Sequence, residues 1–210
     1  RERCFPAATV ISNPYKAELF GLRPGVSRDQ DFAFMGRLVS DKGADLALRA
    51  VKQINKVRPH ARPVTLTVIG DGPEKAPLMR LAAELQIEPW INFTGILRGE
   101  VLVETLNRHR FLWIPSVWEE PFGNIALEGM ACGCIPIASD GGGLPDAVGP
   151  GGTLFTRGDL ESMVQTSIDL LNSPEKQDQL RQAAGDHLAC HRPERIAKRY
   201  LEVIEEACAR

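Results

Sequence analysis

One stretch of the sequence, from Trp113 to Gly143, constrains the fold more than any other part of the chain. At its start, the apolar run Phe111 to Ile114 is too short for a helix and is typical of a buried parallel strand. A polar turn follows, and then small and apolar residues at helical spacing continue from Phe122 to a stop at Gly133. A second apolar run, Cys134 to Ala138, leads into a turn of three glycines. We therefore predict a strand, a helix and a parallel strand in succession, which is a βαβ unit.

The rest of the chain continues this alternation of strands and helices. The predicted strands are 31–36, 64–69, 91–93, 111–114, 134–138 and 152–155, and residues 9–11 also have a β-like composition. The predicted helices are 44–57, 74–85, 100–109, 122–132, 144–148, 160–171, one that begins at Ser173-Pro174, and one from Pro193 to the end. Strands that alternate with helices at regular spacing predict an α/β fold with a Rossmann-like, doubly wound, six-stranded parallel sheet.

The turns of the βαβ unit lie at the carboxyl ends of its strands, which is where ligands bind to open α/β sheets. The helix start near Gly123 offers unpaired backbone N–H groups and a partial positive charge, both suited to a phosphate. Glu120 lies just before this helix and Glu128 lies about two turns inside it. A ligand with phosphates in the middle and hydroxyls at both ends, such as a nucleotide sugar, fits this pattern.

A basic turn follows the first predicted strand. Arg37 comes directly after this strand, beside Gly36, and Lys42 follows beside Gly43. Because the carboxyl ends of parallel strands share one edge, both side chains are predicted to lie near Glu120. There they would neutralise a diphosphate and stabilise a leaving phosphate. An isolated Arg and Lys are more often ordinary surface charges, but their position at the ligand edge favours the functional interpretation.

Composition and charge exclude several classes of function. With 43% hydrophobic and 25% charged residues, the 210-residue chain is typical of one soluble α/β domain. The net charge of −2 argues against a general nucleic-acid or membrane-surface role. Five cysteines form no ligand cluster, which favours a reducing compartment. No apolar run approaches the ~20 residues of a transmembrane span, and no signal peptide is visible, so we expect the chain to start within a longer protein.

Three further features are predicted to be structural. Cys132 and Cys134 lie in an apolar βα unit without a second ligand pair, which favours packing over metal or redox chemistry. Gly70 and Gly72 form part of a dinucleotide fingerprint, but the third glycine is absent and Pro73 follows, which argues against a dehydrogenase. The four histidines are scattered, and we assign loop or helix-surface roles to them: His60, His109, His187 and His191.

Five motifs, taken in order, resemble those of a known family. They are Gly36-Arg37-Leu38 with Lys42-Gly43, Ile69 to Glu74, Phe93-Thr94-Gly95, Glu120 to Gly123 with Glu128, and Gly142 to Asp146. From about residue 9 to its end, the sequence resembles the carboxy-terminal, donor-binding half of a GT-B-fold retaining glycosyltransferase. This is the glycosyl transferases group 1 family, which includes glycogen and sucrose synthases. The sequence departs from the family at Asp146, where Glu is more usual, and at Ser12-Asn13-Pro14, which replaces a Pro-Asn-Gly hinge.

The resemblance implies a role for each matching residue. Arg37 and Lys42 would bind the donor diphosphate, Glu120 would contact the donor sugar, and these three would be the catalytic residues. Glu128 would hold the ribose hydroxyls, and the segment after Phe93 would approach the base. The implied donor-binding set is Gly36, Arg37, Lys42, Gly70, Phe93, Gly95, Ile96, Glu120, Phe122, Gly123, Asn124, Ile125 and Glu128.

The resemblance also implies how the chain is organised. Residues 1–30 would be a hinge segment packed on the domain, and residues 31–210 would bind the nucleotide-sugar donor. The amino-terminal acceptor domain would be missing, so this fragment should bind donor and catalyse little. We expect no metal or other cofactor, because Arg37, Lys42 and the helix start supply the positive charge and no Asp-x-Asp metal motif is apparent. We expect no nucleic-acid partner and a cytoplasmic location, with any membrane association through the missing domain.

Two other function classes stay open. A glycoside hydrolase or phosphorylase would use Glu120 and Glu128 as paired carboxylates, which sit ~5–10 Å apart in glycosidases. The helix rises by about 9 Å from Phe122 to Glu128 and Glu120 lies further out, which suits two ends of one donor better. The third class is a nucleotide-binding regulatory module that performs no chemistry.

Overall fold

Short apolar runs separated by amphipathic segments fold into alternating strands and helices. The computed structural model describes residues 9–208, so predictions for residues 1–8 and 209–210 lie outside the described residues. The strands are β1 (Gln30–Met35), β2 (Leu66–Ile69), β3 (Ile91–Gly95), β4 (His109–Ile114), β5 (Ile135–Ser139) and β6 (Thr153–Phe155). The helices are α1 (Ala44–Val57), α2 (Lys75–Glu84), α3 (Gly99–Asn107), α4 (Asn124–Ala131), α5 (Leu144–Val148), α6 (Leu160–Leu171), α7 (Pro174–Cys190) and α8 (Pro193–Cys208). None of these helices is long and apolar enough to cross a membrane.

The strands of the described chain form one sheet in the order β3-β2-β1-β4-β5-β6. Every neighbouring pair is parallel. Chain order reverses between β1 and β4, so the loops that leave these two strands diverge and open a crevice at the carboxyl edge. The predicted fold class, a doubly wound six-stranded parallel sheet, is confirmed.

Each face of the sheet is covered by its own apolar cluster. On β1, Phe32 and Phe34 belong to the first cluster, with α1, α2 and α6, whereas Ala33 and Met35 belong to the second, with α3, α4 and α5. This alternation follows from the two-residue period of a strand. Phe32 stacks on Trp113 of β4 with ring centroids 3.9 Å apart, which joins the two central strands within the first cluster.

Helix α4 packs unusually close to β4. A Cβ atom at Gly129 would lie only 2.4 Å from Cδ2 of Leu112, which is fully buried. Glycine therefore lets the helix approach the strand to a distance that a side chain would prevent. This approach fixes where the amino-terminal end of α4 meets the crevice.

Residues 9–29 precede the sheet and partly pack against it. Tyr15 and Phe20 are buried in the second apolar cluster. The N–H of Tyr15 donates to the carbonyl of His191 at 3.3 Å, which links this segment to the junction of α7 and α8. The β-like residues 9–11 form no strand, and the side chain of Val10 is exposed. Apolar, β-branched composition does not make a strand where no neighbouring ladder is available.

The prediction of a loop or helix-surface role is wrong for His109, whereas His191 does lie in a turn, although it is buried. His109 is the first residue of β4 and is buried, with Nδ1 donating to the carbonyl of Thr105 at 2.7 Å and Nε2 accepting from Oγ1 of Thr67 at 2.9 Å. His191 is buried at the junction of α7 and α8, where Nδ1 lies 3.2 Å from the carbonyl oxygen of Asn13. The ring of His109 can be buried because a backbone carbonyl and a hydroxyl group pair with both of its nitrogens.

Candidate functional site

The crevice at the carboxyl edge contains a cleft with two lobes. The central lobe has a volume of about 390 Å³ and is lined by Asn13, Met35, Gly36, Arg37, Lys42, Ile114, Glu120, Pro121, Phe122, Gly123, Asn124, Ile125 and Leu144. The outer lobe has a volume of about 240 Å³ and is lined by Met35, Gly36, Arg37, Ile69, Gly70, Asp71, Ile96 and Leu97. Residues 35–37 line both lobes, so the two lobes meet at the end of β1 and the turn that follows it.

The amino-terminal end of α4 forms one wall of the central lobe. Gly123 precedes the helix with a φ of 103°, a left-handed conformation that glycine adopts without strain. A Cβ atom there would also lie 2.5 Å from Cδ2 of Leu144. The backbone N–H groups of Asn124 and Ile125 belong to the first turn and have no acceptor within the helix. The positive end of the helix dipole and these N–H groups make this wall suitable for an anion.

Lys42 and Glu120 form an ion pair inside the central lobe. Nζ of Lys42 donates to Oε1 of Glu120, and the two side chains are only 21% and 15% exposed. The chain turns sharply after Lys42, at Gly43, which has a φ of 68°. Gly43 also lies against the backbone of Pro115, because a Cβ atom at Gly43 would lie 2.0 Å from the carbonyl oxygen of Pro115. The loops after β1 and β4 are therefore packed backbone against backbone, which brings together charges that are far apart in sequence.

A third loop, after β5, supports Glu120 from the other side. The N–H of Gly143 donates to the carbonyl of Glu120 at 2.7 Å. A Cβ atom at Gly142 would lie 2.4 Å from the same carbonyl oxygen, so only glycine fits there. The backbone of Glu120 is thus held by the glycine turn that ends the central βαβ unit.

Arg37 lies between the two lobes and is exposed. Within residues 9–208 it forms no salt bridge, in contrast to Lys42. The turn that carries Arg37 packs closely against the turn after β2, and a Cβ atom at Gly70 would lie 1.9 Å from the carbonyl oxygen of Gly36. Because Arg37 is exposed and lines both lobes, its guanidinium can meet a ligand that crosses from one lobe to the other.

Three predicted donor-binding residues do not line either lobe. Phe93 is half-buried and packs against the first apolar cluster. Gly95 accepts a hydrogen bond at its carbonyl from the N–H of Gly70 at 2.8 Å and so supports the outer lobe from behind. Glu128 lies half-buried in the second turn of α4. Burial raises the pKa of Glu128, and the positive charge of Lys16 partly opposes that rise.

Several residues that line or support the cleft were not predicted. Met35, Ile114 and Leu144 supply apolar wall, and only the geometry of strand ends places them there. Ser116 supports the site through its hydroxyl, which donates to Oε1 of Glu120 at 2.9 Å. A sequence signal for Ser116 exists, since a serine follows Pro115 at the end of a buried strand, but it is shared by many turns.

An Asp-x-Asp sequence does occur at Asp29 and Asp31, contrary to the expectation that none was present. It lies at the amino-terminal end of β1, the edge opposite the cleft. Asp31 is buried and pairs with Arg62 at 2.8 Å, and Asp29 pairs with Arg108 at 3.0 Å. Both carboxylates are therefore engaged in structural ion pairs.

The cysteine pair of the central βαβ unit is a packing feature. Cys132 and Cys134 are both buried in the second apolar cluster. Burial raises the pKa of the Cys132 thiol to about 11 and that of the Cys134 thiol to about 12, so both are neutral near pH 7. In the part of the chain that the structure describes, no group of three or more His, Cys, Asp or Glu residues could hold a metal ion.

A doubly wound parallel sheet, with an anion-binding helix start and an ion pair at the switch point, defines an α/β nucleotide-binding domain. The sequence profile described as Glycosyl transferases group 1 matches residues 24–187, and the chain belongs to this family. The D-inositol 3-phosphate glycosyltransferase of Saccharomonospora viridis is 30% identical over 185 residues, which cover 84% of this chain and 43% of that protein. The 2-deoxystreptamine glucosyltransferase of Streptomyces kanamyceticus is 33% identical over 67% of this chain and 36% of that protein.

Solved structures of glycosyltransferases share the fold. HepE of Anabaena in complex with UDP has a TM-score of 0.82 at 21% identity, over 94% of this chain and 57% of that chain. Sucrose-phosphate synthase of Thermosynechococcus elongatus has a TM-score of 0.78 at 23% identity, over 95% of this chain and 52% of that chain. The sheet therefore matches GT-B glycosyltransferase structures. The chain spans less than half the length of these curated relatives.

Proposed function

We propose that this chain is the donor-binding part of a retaining glycosyltransferase that transfers a hexosyl unit from a nucleoside-diphosphate sugar to an acceptor. The observation that carries the proposal is the two-lobed cleft, whose central lobe contains Lys42, Glu120 and the start of α4. Arg37 lies where the two lobes meet. Positive groups therefore occupy the middle of the cleft, and polar and apolar wall extends to either side of them.

In this proposal the donor lies along the cleft with its diphosphate at the start of α4. The N–H groups of Asn124 and Ile125, together with Arg37 and Lys42, neutralise its charge. The sugar lies beside Glu120 in the central lobe. The nucleobase occupies the outer lobe, where the exposed side chain of Ile96 offers an apolar surface.

The same groups would assist the chemical step. When the glycosidic bond of a sugar donor breaks, negative charge develops on the leaving diphosphate. The ammonium of Lys42, the guanidinium of Arg37 and the start of α4 would stabilise that charge. Retention of anomeric configuration is proposed from the resemblance to retaining enzymes, and NMR of the product of the full-length enzyme tests it.

The position of the two glutamates weakens the alternative of a glycoside hydrolase or phosphorylase. Paired carboxylates must flank one bond. Glu120 lines the central lobe, whereas Glu128 lines neither lobe and is half-buried in α4. Glu128 keeps its proposed role toward the ribose, which is a binding role.

Calorimetry of residues 1–210 tests the proposal, with UDP, GDP, ADP and UDP-glucose as titrants in EDTA and again in Mg²⁺. UDP is the first choice because the related fold of HepE was crystallised with UDP and glucose. We expect a nucleoside diphosphate to bind in EDTA, because the protein itself supplies the positive charge. Binding that requires the metal would overturn the charge assignment, and no binding of any of these nucleotides would overturn the function.

A further inference from the structure

The buried hydroxyl of Ser116 lies within hydrogen-bond distance of the carboxylate of Glu120, a residue that lines the central lobe. It is 1% exposed, and its Oγ lies 2.9 Å from Oε1 of Glu120 and 3.1 Å from the carbonyl oxygen of Asp41. A serine hydroxyl carries one proton, and both of these neighbours accept. The carbonyl of Asp41 already accepts from the N–H groups of Val117 at 2.9 Å and Trp118 at 3.3 Å. The ionised carboxylate is the stronger acceptor, so the hydroxyl proton belongs to Glu120.

Glu120 is thus held at one oxygen by two donors of very different stiffness. Lys42 reaches Oε1 with a flexible four-carbon side chain. Ser116 reaches it from a short side chain on a fixed backbone, because the carbonyl of Ser116 accepts from Oγ of Ser139 at 2.7 Å. In the described residues no other side chain or backbone group donates to the carboxylate of Glu120.

An anion in the central lobe would affect Lys42 and Ser116 differently. Lys42 lines that lobe and is the group that a phosphate would attract. If the ammonium turns toward the phosphate, its hold on Glu120 weakens, and a largely buried carboxylate needs another donor. Ser116 does not line the lobe, so a ligand leaves its hydrogen bond in place.

We infer that Ser116 is a positioning residue, which keeps the carboxylate of Glu120 directed at the donor sugar while Lys42 is shared with the donor phosphate. The inference rests on the proposed function, because it assumes that Glu120 meets the sugar. Ser116 itself does not touch the substrate. Its loss should therefore reduce the affinity that the sugar adds, and leave the affinity for the bare nucleotide unchanged.

The test compares UDP with UDP-glucose by calorimetry for the wild type and Ser116→Ala. We expect Ser116→Ala to bind UDP within about twofold of the wild type and UDP-glucose about tenfold more weakly, as for one charge-assisted hydrogen bond lost. Ser116→Thr keeps a hydroxyl and should restore the wild-type ratio, with circular dichroism confirming that it folds. Ser167→Ala is the matched control, because it removes another buried hydroxyl, one that accepts from Nε1 of Trp113 at 3.0 Å within the first apolar cluster.

A double-mutant cycle with Glu120→Gln separates positioning from general destabilisation. If Ser116 acts through Glu120, Ser116→Ala should change the ratio of the two affinities no further in the Glu120→Gln background. Equal weakening of UDP and UDP-glucose by Ser116→Ala, or an unchanged ratio, would overturn the inference and leave the proposed function intact. A wild type that binds UDP and UDP-glucose equally would instead refute the sugar contact of the proposed function, and this inference with it.

Discussion

Lys42 and Arg37 differ in what surrounds them. Within residues 9–208, Lys42 pairs with Glu120 and is mostly buried, whereas Arg37 is exposed and forms no ion pair. Both are proposed to bind the donor diphosphate. Their removal should therefore have the same effect on binding and different effects on the stability of the free protein.

We expect Arg37→Ala to weaken UDP binding by about 1.5–3 kcal/mol and to leave the free energy of unfolding within about 0.5 kcal/mol. Lys42→Ala should weaken binding similarly and also destabilise the protein by about 1–2 kcal/mol, because Glu120 loses its partner in a mostly buried position. Calorimetry and urea unfolding measure the two effects. Equal stability of the two variants would contradict the structural role of the ion pair.

Glu128 carries a cost in the free protein. Burial disfavours the carboxylate and raises the pKa of Glu128. With respect to this group, the folded protein is therefore most stable below the ordinary carboxyl pKa and loses stability as pH rises through the folded-state pKa. Glu128→Gln removes this cost, and we expect a higher thermal midpoint at pH 7. If Glu128 binds the ribose, the same variant should bind UDP more weakly by about 1–3 kcal/mol. A variant that is more stable and binds UDP normally would remove Glu128 from the site.

The single residues of the site were predictable to the extent that their chemistry was visible in one dimension. Arg37, Lys42 and Glu120 carry charge in the loops that follow two predicted strands, and the structure brings all three to one lobe. That Phe93 packs against the first apolar cluster was not predictable, because a strand residue points to one of two faces and that choice depends on the sheet register. Ser116 was missed because two of its partners, Asp41 in the loop after β1 and Ser139 at the end of β5, are distant in sequence.

At the scale of elements, the contact between α4 and β4 sets the position of the helix start that is proposed to bind phosphate. Alanine in place of a helical glycine normally stabilises by roughly 0.5–1 kcal/mol. At Gly129 we expect the opposite, a loss of about 1–2 kcal/mol and weaker UDP binding, because the new methyl group would overlap the buried side chain of Leu112.

Gly185 in α7 is the matched control for this prediction. A Cβ atom there would meet no other atom within 4 Å. Gly185→Ala should therefore stabilise the protein by roughly 0.5–1 kcal/mol and leave UDP binding unchanged. Urea unfolding and calorimetry of both variants measure the contrast, and stabilisation by Gly129→Ala would show that α4 can move away from the strand.

His109 ties α3, β4 and β2 together and should make stability depend on pH. Burial lowers its pKa below the ordinary 6.5, so on acidification the unfolded chain binds a proton before the folded chain does. Stability should be full above about pH 6.5 and fall as pH decreases, with a slope of at most about 1.4 kcal/mol per pH unit for this one group.

His109→Gln should lose less stability than the wild type between pH 7.5 and pH 5, since an amide can replace both hydrogen bonds and does not titrate. His60→Gln, at an exposed position in the turn after α1, should keep the wild-type dependence. Urea unfolding at several pH values measures this. Parallel curves for the wild type and His109→Gln would mean that another group carries the acid sensitivity.

Element boundaries were predictable where the signal was local. The bounds of α1 and α5 agree with the prediction, because glycines precede both helices and their apolar spacing is regular. The start of β2 was placed two residues early, because the N–H of Val64 donates to the side chain of Asn55 instead of joining the ladder. Such side-chain competition for a backbone group is not visible in hydrophobic periodicity.

At the scale of the whole molecule, the chain contains the proposed donor cleft and covers 43% of the S. viridis relative. We expect residues 1–210 to bind UDP-glucose but to release no UDP in a coupled assay with sugar acceptors, because the proposed acceptor site would belong to another part of the protein. Binding by the same preparation is the control. Robust turnover would show that the described sheet carries both sites.

The overall architecture was the most predictable level, because short apolar strands that alternate with amphipathic helices leave few alternatives to a parallel sheet. The strand order follows from that pattern only through rules for crossover connections. What periodicity could not provide was the division of the cleft into two lobes that share residues 35–37.

The two lobes are built from different parts of the sheet. The central lobe draws its walls from β1, β4 and α4, whereas Ile96 and Leu97 of the outer lobe follow β3, an edge strand. Exposed loops beside an edge strand tolerate substitution far better than the middle of a sheet. If the nucleobase occupies the outer lobe as proposed, substitutions at residues 96–97 would change the preference for one nucleobase and leave the groups proposed to bind the phosphates in place.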